Sequence, residues 1–522
     1  MESVLVNRNG DPITFEVDYD AIAEIKHLRE SDPENFPKIG ILVLTYNTSG
    51  QIQNTLSRIP KGIYDIVDEI FVFDNCSQDD TVDKTKEYIQ KCEFRDKFKL
   101  FSNPRNLGYG GNQKAGYQYA LQNEFDYTVM LHGDGQYSPE MLPKMIQPIF
   151  KEKAEVVFGS RMLNKKDALS GGMPLYKWLG NTVLTSFENI VLGTALSEFH
   201  SGYRMYSSNV LKKIPFQENT DDWHFDTQII IQCRALNVNI NEIPIQTYYG
   251  EEECNVNGIS YAISVCLAVL QYRLHQLHII RNSRFFIERD VVFRKKLSRF
   301  SAHEMILKRV KTPGNLLDVN SSHGLLRASL EEKSQKYDSV IEKNEKSALE
   351  NSLQADFLSR DSLTEVLRLT ERKYDYIVMA ETIEKFRYPK DVINWTSQFI
   401  KEDGEFVLVI SNIALWFYRI SLLIGRFNYG EKGPLSHNHV HLYTKDTALQ
   451  LIRRSGLEVL DVKYSNFPFE VLFESTGSSK VIKCLDWLYS GFVKVWPKAF
   501  AYQFIISART AQFNSKIDVK DV

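Results

Sequence analysis

The chain has 522 residues and a formal net charge of −3, with 43% apolar and 25% charged residues. This length exceeds what one hydrophobic core usually serves, so we expect two or three domains, and the balanced composition excludes collagen-like and wholly disordered proteins. The slight negative charge argues against nucleic acid as a partner, because phosphate binding requires a basic surface.

The six cysteines show no CxxC spacing, so neither a zinc site nor a disulfide framework is predicted. The first residues lack the charged-then-apolar pattern of a signal peptide, which favours a cytoplasmic location. The most apolar stretches, 263–280 and 413–425, contain Arg273 and Arg419 and fall short of the roughly 20 apolar residues that span a bilayer. We expect no membrane-spanning helix, and contact with a membrane surface stays open.

Short apolar runs alternate with longer helical patterns from residue 38 onward. Five runs have the β-branched and aromatic content of strands. They are Ile39 to Tyr46, Glu69 to Asp74, Lys99 to Ser102, Tyr127 to Leu131 and Val156 to Gly159. This order of elements predicts a mostly parallel sheet covered by helices.

A second series of the same kind begins near Asn315. Its predicted strands are Leu316 to Val319, Ser339 to Ile341, Tyr374 to Met379 and Glu405 to Ile410. Between the two series lies a basic stretch, interpreted as a solvated helical linker, with an anionic membrane surface or partner as the alternative. The predicted limits are an N-terminal arm at 1–37, a first domain at 38–280, the linker at 281–311, a second domain at 312–510 and a tail at 511–522.

Polar side chains follow three strands of the first series. Tyr46 and Asn47 end the first strand, Asp74 ends the second, and Asp134 and Gln136 follow the fourth. Ligands of open α/β sheets bind beyond the carboxyl ends of the strands, so these side chains form a candidate site. A carboxylate at Asp74 can accept a nucleobase N–H, and one at Asp134 can hold a divalent cation that bridges a diphosphate.

Two further segments belong to this edge. Asp79 or Asp80 is expected to cap the helix that follows the second strand. A glycine-rich turn from Asn103 to Asn112 leads into another helix and brings Arg105 near an expected phosphate.

In their order along the chain, these segments resemble the family-2 glycosyltransferases with a GT-A fold, in particular the branch of dolichol-phosphate mannose synthase and related polyprenyl-phosphate sugar transferases. The resemblance covers residues 38–280. The motifs that carry it are Thr45-Tyr46-Asn47, Asp74 to Thr81, Arg105-Asn106-Leu107-Gly108, Asp134-Gly135-Gln136, Gly159-Ser160-Arg161 and His200-Ser201-Gly202-Tyr203-Arg204.

The resemblance implies a role for each matched residue. The implied nucleotide-sugar contacts are Tyr46, Asn47, Asp74, Arg105, Asn106, Gln136 and Arg161. Asp134 and Gln136 are the implied ligands of Mg²⁺ or Mn²⁺, and Arg204 is the implied partner of a diphosphate or an acceptor phosphate. The chain departs from the family at His132, where the metal motif has its first carboxylate, and at Thr48, where an acid often follows the first strand.

The implied reaction is displacement at the anomeric carbon with inversion. Asp226 stands where the family often has its general base, which a sugar hydroxyl requires and an anionic lipid phosphate does not. The alternative for Asp226 is an acid in the first turn of a helix.

The second series resembles the class I S-adenosylmethionine methyltransferases over residues 301–509. Leu316 to Gly324 matches the first strand and its glycine-rich turn, which implies Asp318, Gly324 and Glu342 as cofactor contacts. Asn320 and Ser322 stand at positions where that family has glycine, and Glu384-Lys385 replaces a Glu-His pair. A structural or docking domain therefore remains an alternative to an active methyltransferase.

The predicted fold class is α/β, with a Rossmann-like GT-A domain for nucleotide-sugars followed by a doubly wound methyltransferase-like domain. The predicted function is an inverting, metal-dependent glycosyltransferase that uses a polyprenyl-phosphate or surface-glycan acceptor. It would act in the cytoplasm, with peripheral contact to the inner face of the membrane or a membrane protein. The alternatives are a bifunctional enzyme that also methylates the glycan, and a non-catalytic scaffold of a glycan-assembly complex.

Overall fold

The computed structural model describes residues 5–6, 12–13, 15–164, 168–169, 173–245, 257–287, 298–310, 314–319, 325–342, 353–356, 372–472 and 480–511. The chain separates into two compact units, one of residues 1–275 with 282–289 and the other of residues 276–281 with 290–522.

The first unit is built on a sheet of seven strands. The strands of this unit are β1 (Leu5–Val6), β2 (Pro12–Ile13), β3 (Ile39–Thr45), β4 (Glu69–Asp74), β5 (Phe98–Ser102), β6 (Tyr127–His132), β7 (Val156–Ser160), β8 (Arg204–Ser207) and β9 (Ile240–Pro244). The sheet has the order β5-β4-β3-β6-β8-β7-β9, and β1 and β2 pair separately. Strands β3 to β6 run parallel, whereas β8 is antiparallel to both of its neighbours.

Helices cover both faces of this sheet. They are Tyr19–Ser31, Ile52–Ser57, Thr81–Lys91, Gly108–Gln122, Leu142–Glu152, Leu175–Leu192, Ser208–Lys213, Phe225–Leu236 and Gly258–Gln276. Strand β3 is buried along its whole length, as expected for an apolar strand between two layers. Ile41 and Val43 pack into one layer and Leu42 and Leu44 into the other, because side chains alternate along a strand.

The second unit contains another sheet of seven strands. They are β10 (Asn315–Val319), β11 (Lys336–Glu342), β12 (Leu353–Ala355), β13 (Tyr374–Ala380), β14 (Ile400–Ser411), β15 (Leu457–Tyr464) and β16 (Gln503–Thr510). The order is β12-β11-β10-β13-β14-β16-β15, and the first five strands are parallel. The helices are Ala302–Arg309, Arg327–Glu332, Pro389–Thr396, Trp416–Leu423, Lys445–Arg454, Phe469–Leu472, Lys480–Val495 and Pro497–Phe500.

The predicted α/β architecture of both units is confirmed, and every predicted strand is present. The antiparallel strands β8, β15 and β16 had no counterpart in the prediction. The helix Tyr19–Ser31 lies in the predicted arm and packs Ile22 and Ile25 into the core. The domain limits stay a prediction, and Arg294 to Lys296 of the basic stretch lie outside the described residues. In the described part of the chain, no helix combines the length and apolar character needed to cross a bilayer.

Candidate functional site

The carboxyl ends of β3, β4, β5 and β6 lie side by side at one edge of the first sheet. Thr45 pairs with Asp74 across β3 and β4, and Asp74 pairs with Ser102 across β4 and β5. On the other side of β3, Leu44 pairs with His132. The register therefore brings the polar strand ends together, at the edge where open α/β sheets bind ligands.

Asp74 is 1% exposed, and its carboxylate organises this edge. One oxygen accepts hydrogen bonds from the hydroxyls of Ser77 and Thr45. The other accepts from the backbone N–H of Ser77 at 3.0 Å and from the Ser102 hydroxyl at 3.3 Å. Because both oxygens are engaged, Asp74 holds the loop after β4 in place. Its contact with a nucleobase stays a prediction.

The loop after β3 is attached to the loop after β4 through Asn47. This residue has φ = 51°, in the left-handed region that asparagine tolerates better than most residues. Its backbone N–H donates to the Ser77 hydroxyl at 2.9 Å, and its side-chain oxygen accepts from the N–H of Gln78 at 2.8 Å. The neighbouring Tyr46 is 41% exposed, so its ring is open to a stacking ligand.

Of the two predicted caps of the helix Thr81–Lys91, Asp79 and Asp80, Asp79 makes the capping hydrogen bonds. Its carboxylate accepts the backbone N–H of Thr81 at 3.1 Å and that of Ser49 at 3.0 Å. The Asp80 side chain makes no capping hydrogen bond. Burial raises the pKa of Asp79, but the hydrogen bonds from Thr81 and Ser49 outweigh it and hold that pKa below its ordinary value.

Asn75 connects the loop after β4 to the glycine-rich turn. Its amide nitrogen donates to the side-chain oxygen of Asn106 at 2.9 Å, and its amide oxygen accepts the backbone N–H of Leu107 at 2.8 Å. Arg105 is exposed on this turn, and it has no hydrogen bond or ion pair within the part of the chain that the structure describes. Arg105 is therefore the predicted phosphate contact that is open to solvent.

The glycines at the start of the helix Gly108–Gln122 allow close packing against another loop. The N–H groups of Gly110 and Gly111 donate to the carbonyl of Asp221 at 2.7 and 3.4 Å. A Cβ on Gly108, which has φ = 80°, would lie 2.5 Å from the same carbonyl oxygen. These N–H groups are therefore engaged within the protein and are not directed at a phosphate.

Asp134 lies half-buried at the end of β6. One carboxylate oxygen accepts the backbone N–H of Gln136 at 3.0 Å, and the other makes no hydrogen bond to any described residue. Among the described residues, no group of three or more His, Cys, Asp or Glu side chains is arranged to hold a metal. A single open carboxylate fits Mg²⁺, which proteins often bind through one or two carboxylates together with substrate phosphates.

Asp226 lies at the centre of a buried polar cluster next to this edge. It is 5% exposed, and its two oxygens accept hydrogen bonds from Tyr109 and Gln113, each at 3.1 Å. Arg204 stands 3.6 Å away. Burial and the charge of Asp226 raise the pKa of Tyr109 well above its ordinary value, so its hydroxyl keeps the proton that it donates.

His132 joins the same cluster. Its Nε2 lies 3.3 Å from the Tyr109 hydroxyl. Since the single Tyr109 hydrogen goes to Asp226, this contact requires the tautomer that carries hydrogen on Nε2. Burial lowers the pKa of His132 against the opposing charges of Asp134 and Asp226. His132, which stands where the family's metal motif has its first carboxylate, therefore contacts the buried cluster around Asp226.

Arg204 is 1% exposed and surrounded by acceptors. Its guanidinium donates to the carbonyl groups of Ser201 at 2.7 Å, Phe199 at 2.8 Å and Asp226 at 3.0 Å, and to the Tyr206 hydroxyl at 3.3 Å. These bonds fasten the loop before β8 to the start of the helix Phe225–Leu236. The geometry supports a positioning role for Arg204, and its contact with phosphate stays a prediction.

Arg161 is paired in a similar way. Its backbone N–H and Nε donate to the two carboxylate oxygens of Glu198 at 2.7 and 2.8 Å, and its Nη2 donates to the His200 carbonyl at 2.8 Å. The Glu198 side chain is fully buried. Burial raises the pKa of Glu198, but Arg161 more than offsets this effect and lowers it overall. A phosphate contact of Arg161 likewise stays a prediction.

Tyr109, Gln113 and Glu198 were not among the predicted site residues. Tyr109 and Gln113 are four residues apart on one helix, a spacing that places them on the same face and so was readable from the sequence. Glu198 lies two residues before His200 and carried no such signal. Its role appears only when β7 and the loop before β8 are brought together.

In the second unit, Asp318 is 2% exposed and accepts a hydrogen bond from the Tyr337 hydroxyl at 2.7 Å. This contact lies between neighbouring strands β10 and β11. Gly324 and the side chain of Glu342 lie outside the described residues, so the three predicted cofactor contacts stay predictions.

Two family models match different parts of this chain. Residues 40–215 match the family model described as glycosyl transferase family 2, and residues 286–462 match the one described as methyltransferase domain. The UDP-N-acetylglucosamine–dolichyl-phosphate N-acetylglucosaminyltransferase of Methanococcus voltae is 28% identical over 222 residues, which are 41% of this chain and 86% of that protein. The undecaprenyl-phosphate mannosyltransferase of Micrococcus luteus is 25% identical over 207 residues, covering 39% of this chain and 81% of that protein.

A low-salt glycan biosynthesis hexosyltransferase of Haloferax volcanii is 27% identical over 235 residues, covering 44% of this chain and 52% of that protein. Among solved structures, glucosyl-3-phosphoglycerate synthase from Mycobacterium tuberculosis in complex with phosphoglyceric acid is 15% identical, with a TM-score of 0.37. That likeness covers 48% of this chain and 83% of the other. Residues 40–215 are therefore a domain of the glycosyl transferase family 2, and residues 286–462 are a methyltransferase-like domain that follows it in the chain.

Proposed function

We propose that the first unit transfers a sugar, with inversion, from a nucleoside diphosphate to the phosphate of a polyprenyl lipid at the cytoplasmic face of a membrane. The observation that carries the proposal is the state of Asp226, which is 5% exposed and accepts a hydrogen bond from Tyr109 at one oxygen and from Gln113 at the other. A sugar hydroxyl must lose a proton to a general base as it attacks, whereas a phosphate is already an anion at neutral pH. A carboxylate held in this way suits an acceptor that needs no base.

Two helices beside the site carry exposed apolar stripes. The exposed side chains are Leu175, Leu179, Val183 and Ile190 on one helix, and Ile259, Ile263, Leu267, Leu270 and Leu274 on the other. Their spacing of three, four or seven residues places each set on one helix face. The acid of the first helix, Glu188, is buried, and the second helix has none. Such faces suit a substrate with a long apolar tail.

The same two helices contact the loop before β8, to whose carbonyl groups Arg204 donates. His200 Nδ1 lies 2.9 Å from the Tyr261 hydroxyl of the second helix, and His200 Nε2 lies 3.1 Å from a carboxylate oxygen of Glu188 on the first. The apolar stripes and the polar edge are thus parts of one unit. Two relatives are named for acceptors of matching chemistry, dolichyl phosphate and undecaprenyl phosphate.

The proposed donor site uses the open side chains of the polar edge. Tyr46 would stack on the base, and Arg105 would face the diphosphate. Asp134, with Gln136, would hold Mg²⁺ or Mn²⁺, which would neutralise charge on the departing nucleoside diphosphate. An acceptor phosphate oxygen forms the new bond to the anomeric carbon as the bond to the diphosphate oxygen breaks.

The test is a donor and acceptor panel on the full chain. UDP-, GDP- and dTDP-sugars are screened for thermal stabilisation with Mn²⁺ or Mg²⁺, and the stabilising donor is then assayed with a short-chain polyprenyl phosphate and with free saccharides. We expect transfer to the phosphate, and we expect Asp134→Ala to lose cation-dependent donor binding. Asp96→Ala, at an exposed acid, is the matched control. Transfer to saccharide hydroxyls alone would refute the proposed acceptor.

A further inference from the structure

The second unit carries an exposed aromatic and apolar surface formed by the helices Trp416–Leu423 and Lys480–Val495 with the residue after each. We name it the Trp487 surface. Its exposed side chains are Trp416, Ile420, Leu423, Ile424, Trp487, Leu488, Phe492, Val495 and Trp496. Val495 and Leu423 are 86% and 85% exposed, so their side chains stand almost entirely in solvent. Isolated apolar residues are common on protein surfaces, but a contiguous set of this size calls for an occupant.

The two helices form one continuous surface. The Arg419 guanidinium lies 5.7 Å from the centre of the Trp496 ring and donates to the Lys498 carbonyl at 3.2 Å. The aromatic rings of both helices therefore belong to the same patch.

The two segments that form this patch are rich in basic residues. Segments 416–427 and 480–498 contain six Lys or Arg residues and one acid, in a chain with a net charge of −3. The basic residues are Arg419, Arg426, Lys480, Lys483, Lys494 and Lys498. The single acid, Asp486, accepts a hydrogen bond from Asn466 at 2.6 Å and is also bonded to Ser298. Lys498 is paired with Asp446 at 2.8 Å. The other basic residues leave these two segments with a net positive charge beside the exposed apolar side chains.

We infer that the Trp487 surface docks the second unit on a lipid bilayer that contains anionic lipids. Helices that lie in a membrane interface bury Trp, Phe and Leu at the headgroup boundary while Lys and Arg meet the anionic lipids. Lysine stems can lie along the apolar boundary while their ammonium groups reach the phosphates. Each basic residue near an anionic surface adds attraction that salt screens.

The charge pattern argues against a second copy of the chain as the occupant. A two-fold dimer brings the same patch of both subunits together. Such an interface would bring together the basic groups of both copies, of which only Lys498 is paired with a described acid, and like charges across an interface are costly. An anionic bilayer complements both the positive charge and the exposed apolar side chains of the Trp487 surface.

The Trp487 surface is formed entirely by residues of the second unit. Its binding to a membrane is therefore independent of the reaction proposed for the first unit. Vesicle binding and sugar transfer to a soluble short-chain acceptor are separate measurements, and a failure of one is distinguishable from a failure of the other.

The test is co-sedimentation of the full chain with vesicles of phosphatidylcholine alone and of phosphatidylcholine with phosphatidylglycerol. We expect binding to the anionic vesicles that weakens at high salt. Val495→Asp and Leu423→Asp should each lower the partition coefficient by about tenfold or more, because each places a charge at the apolar boundary. Leu460→Asp, at a 41% exposed apolar residue on β15, is the matched control and should bind like the unaltered protein.

Two further measurements decide between occupants. The double variant Lys483→Glu/Lys494→Glu should lose the preference for anionic vesicles, and the melting temperatures of all variants verify that they are folded. The inference is overturned when the unaltered chain fails to bind anionic vesicles, or when both Asp variants bind as tightly as it does. A dimer seen by light scattering that Val495→Asp dissociates, without vesicle binding, would overturn it in favour of self-association.

Discussion

Replacing Asp226 by asparagine separates a positioning role from a proton-accepting role. The amide has the shape of the carboxylate but no charge, so Arg204 at 3.6 Å loses its buried counter-ion. The amide also presents a donor on one side, so either Tyr109 or Gln113 loses its acceptor. Both effects act in the interior, where Asp226 is 5% exposed.

The magnitude follows from these contacts. Removing one partner of a buried ion pair costs about 3–5 kcal/mol, and leaving a buried donor unpaired costs about 1–3 kcal/mol. Arg204 keeps three carbonyl acceptors, so we expect the lower end, a loss of about 3 kcal/mol in the free energy of unfolding. The measurement is urea unfolding of Asp226→Asn, with Asp83→Asn at an exposed acid as the control.

The activity of Asp226→Asn tests whether Asp226 acts as a general base. A general base contributes about 10²- to 10⁴-fold to a rate. We expect Asp226→Asn, assayed at a temperature where it is fully folded, to lose less than about tenfold in kcat with a polyprenyl-phosphate acceptor and to keep the pH profile. A loss within the general-base range, with an unchanged free energy of unfolding, would show that Asp226 accepts a proton and would refute the reasoning.

Three other substitutions probe the supports of the site. Gly202→Ala places a Cβ 2.6 Å from the His132 ring and should cost about 1–3 kcal/mol in thermal unfolding, whereas Gly180→Ala, with no atom within 4 Å, should not destabilise the protein. Asn75→Ala removes the acceptor of a backbone N–H and the donor to the glycine-rich turn, so urea unfolding should show a loss of about 2 kcal/mol, and an unchanged value would contradict the contact. The pKa of Glu198 is lowered in the fold, so its stabilisation is present above the ordinary carboxyl pKa and is lost as the pH falls through the folded value. Glu198→Gln should therefore be less stable at neutral pH and should show a shallower loss of stability on acidification, and an equally steep loss would contradict this assignment.

Much of the polar edge of the first sheet could be predicted from the sequence, because it depends on where apolar runs end along the chain. The end of β4 at Asp74 and the end of β6 near Asp134 follow from where apolar runs stop, and parallel strands bring such ends together. A cap at Asp79 or Asp80 also follows from their position before a helix, and the structure selects Asp79. The roles of Tyr109 and Gln113 were missed because both side chains bind Asp226, which lies on another helix far along the chain.

The sequence by itself determined the two α/β units, their predicted strands and the polar strand ends, since each depends on residues close together in the chain. Only the tertiary structure decided how the charged groups are used. Arg204 and Arg161, which a motif suggests as phosphate ligands, are buried against carbonyl groups and Glu198. The physical reason is that a buried charge must find its partners inside the protein, and those partners come from strands and loops distant in the chain.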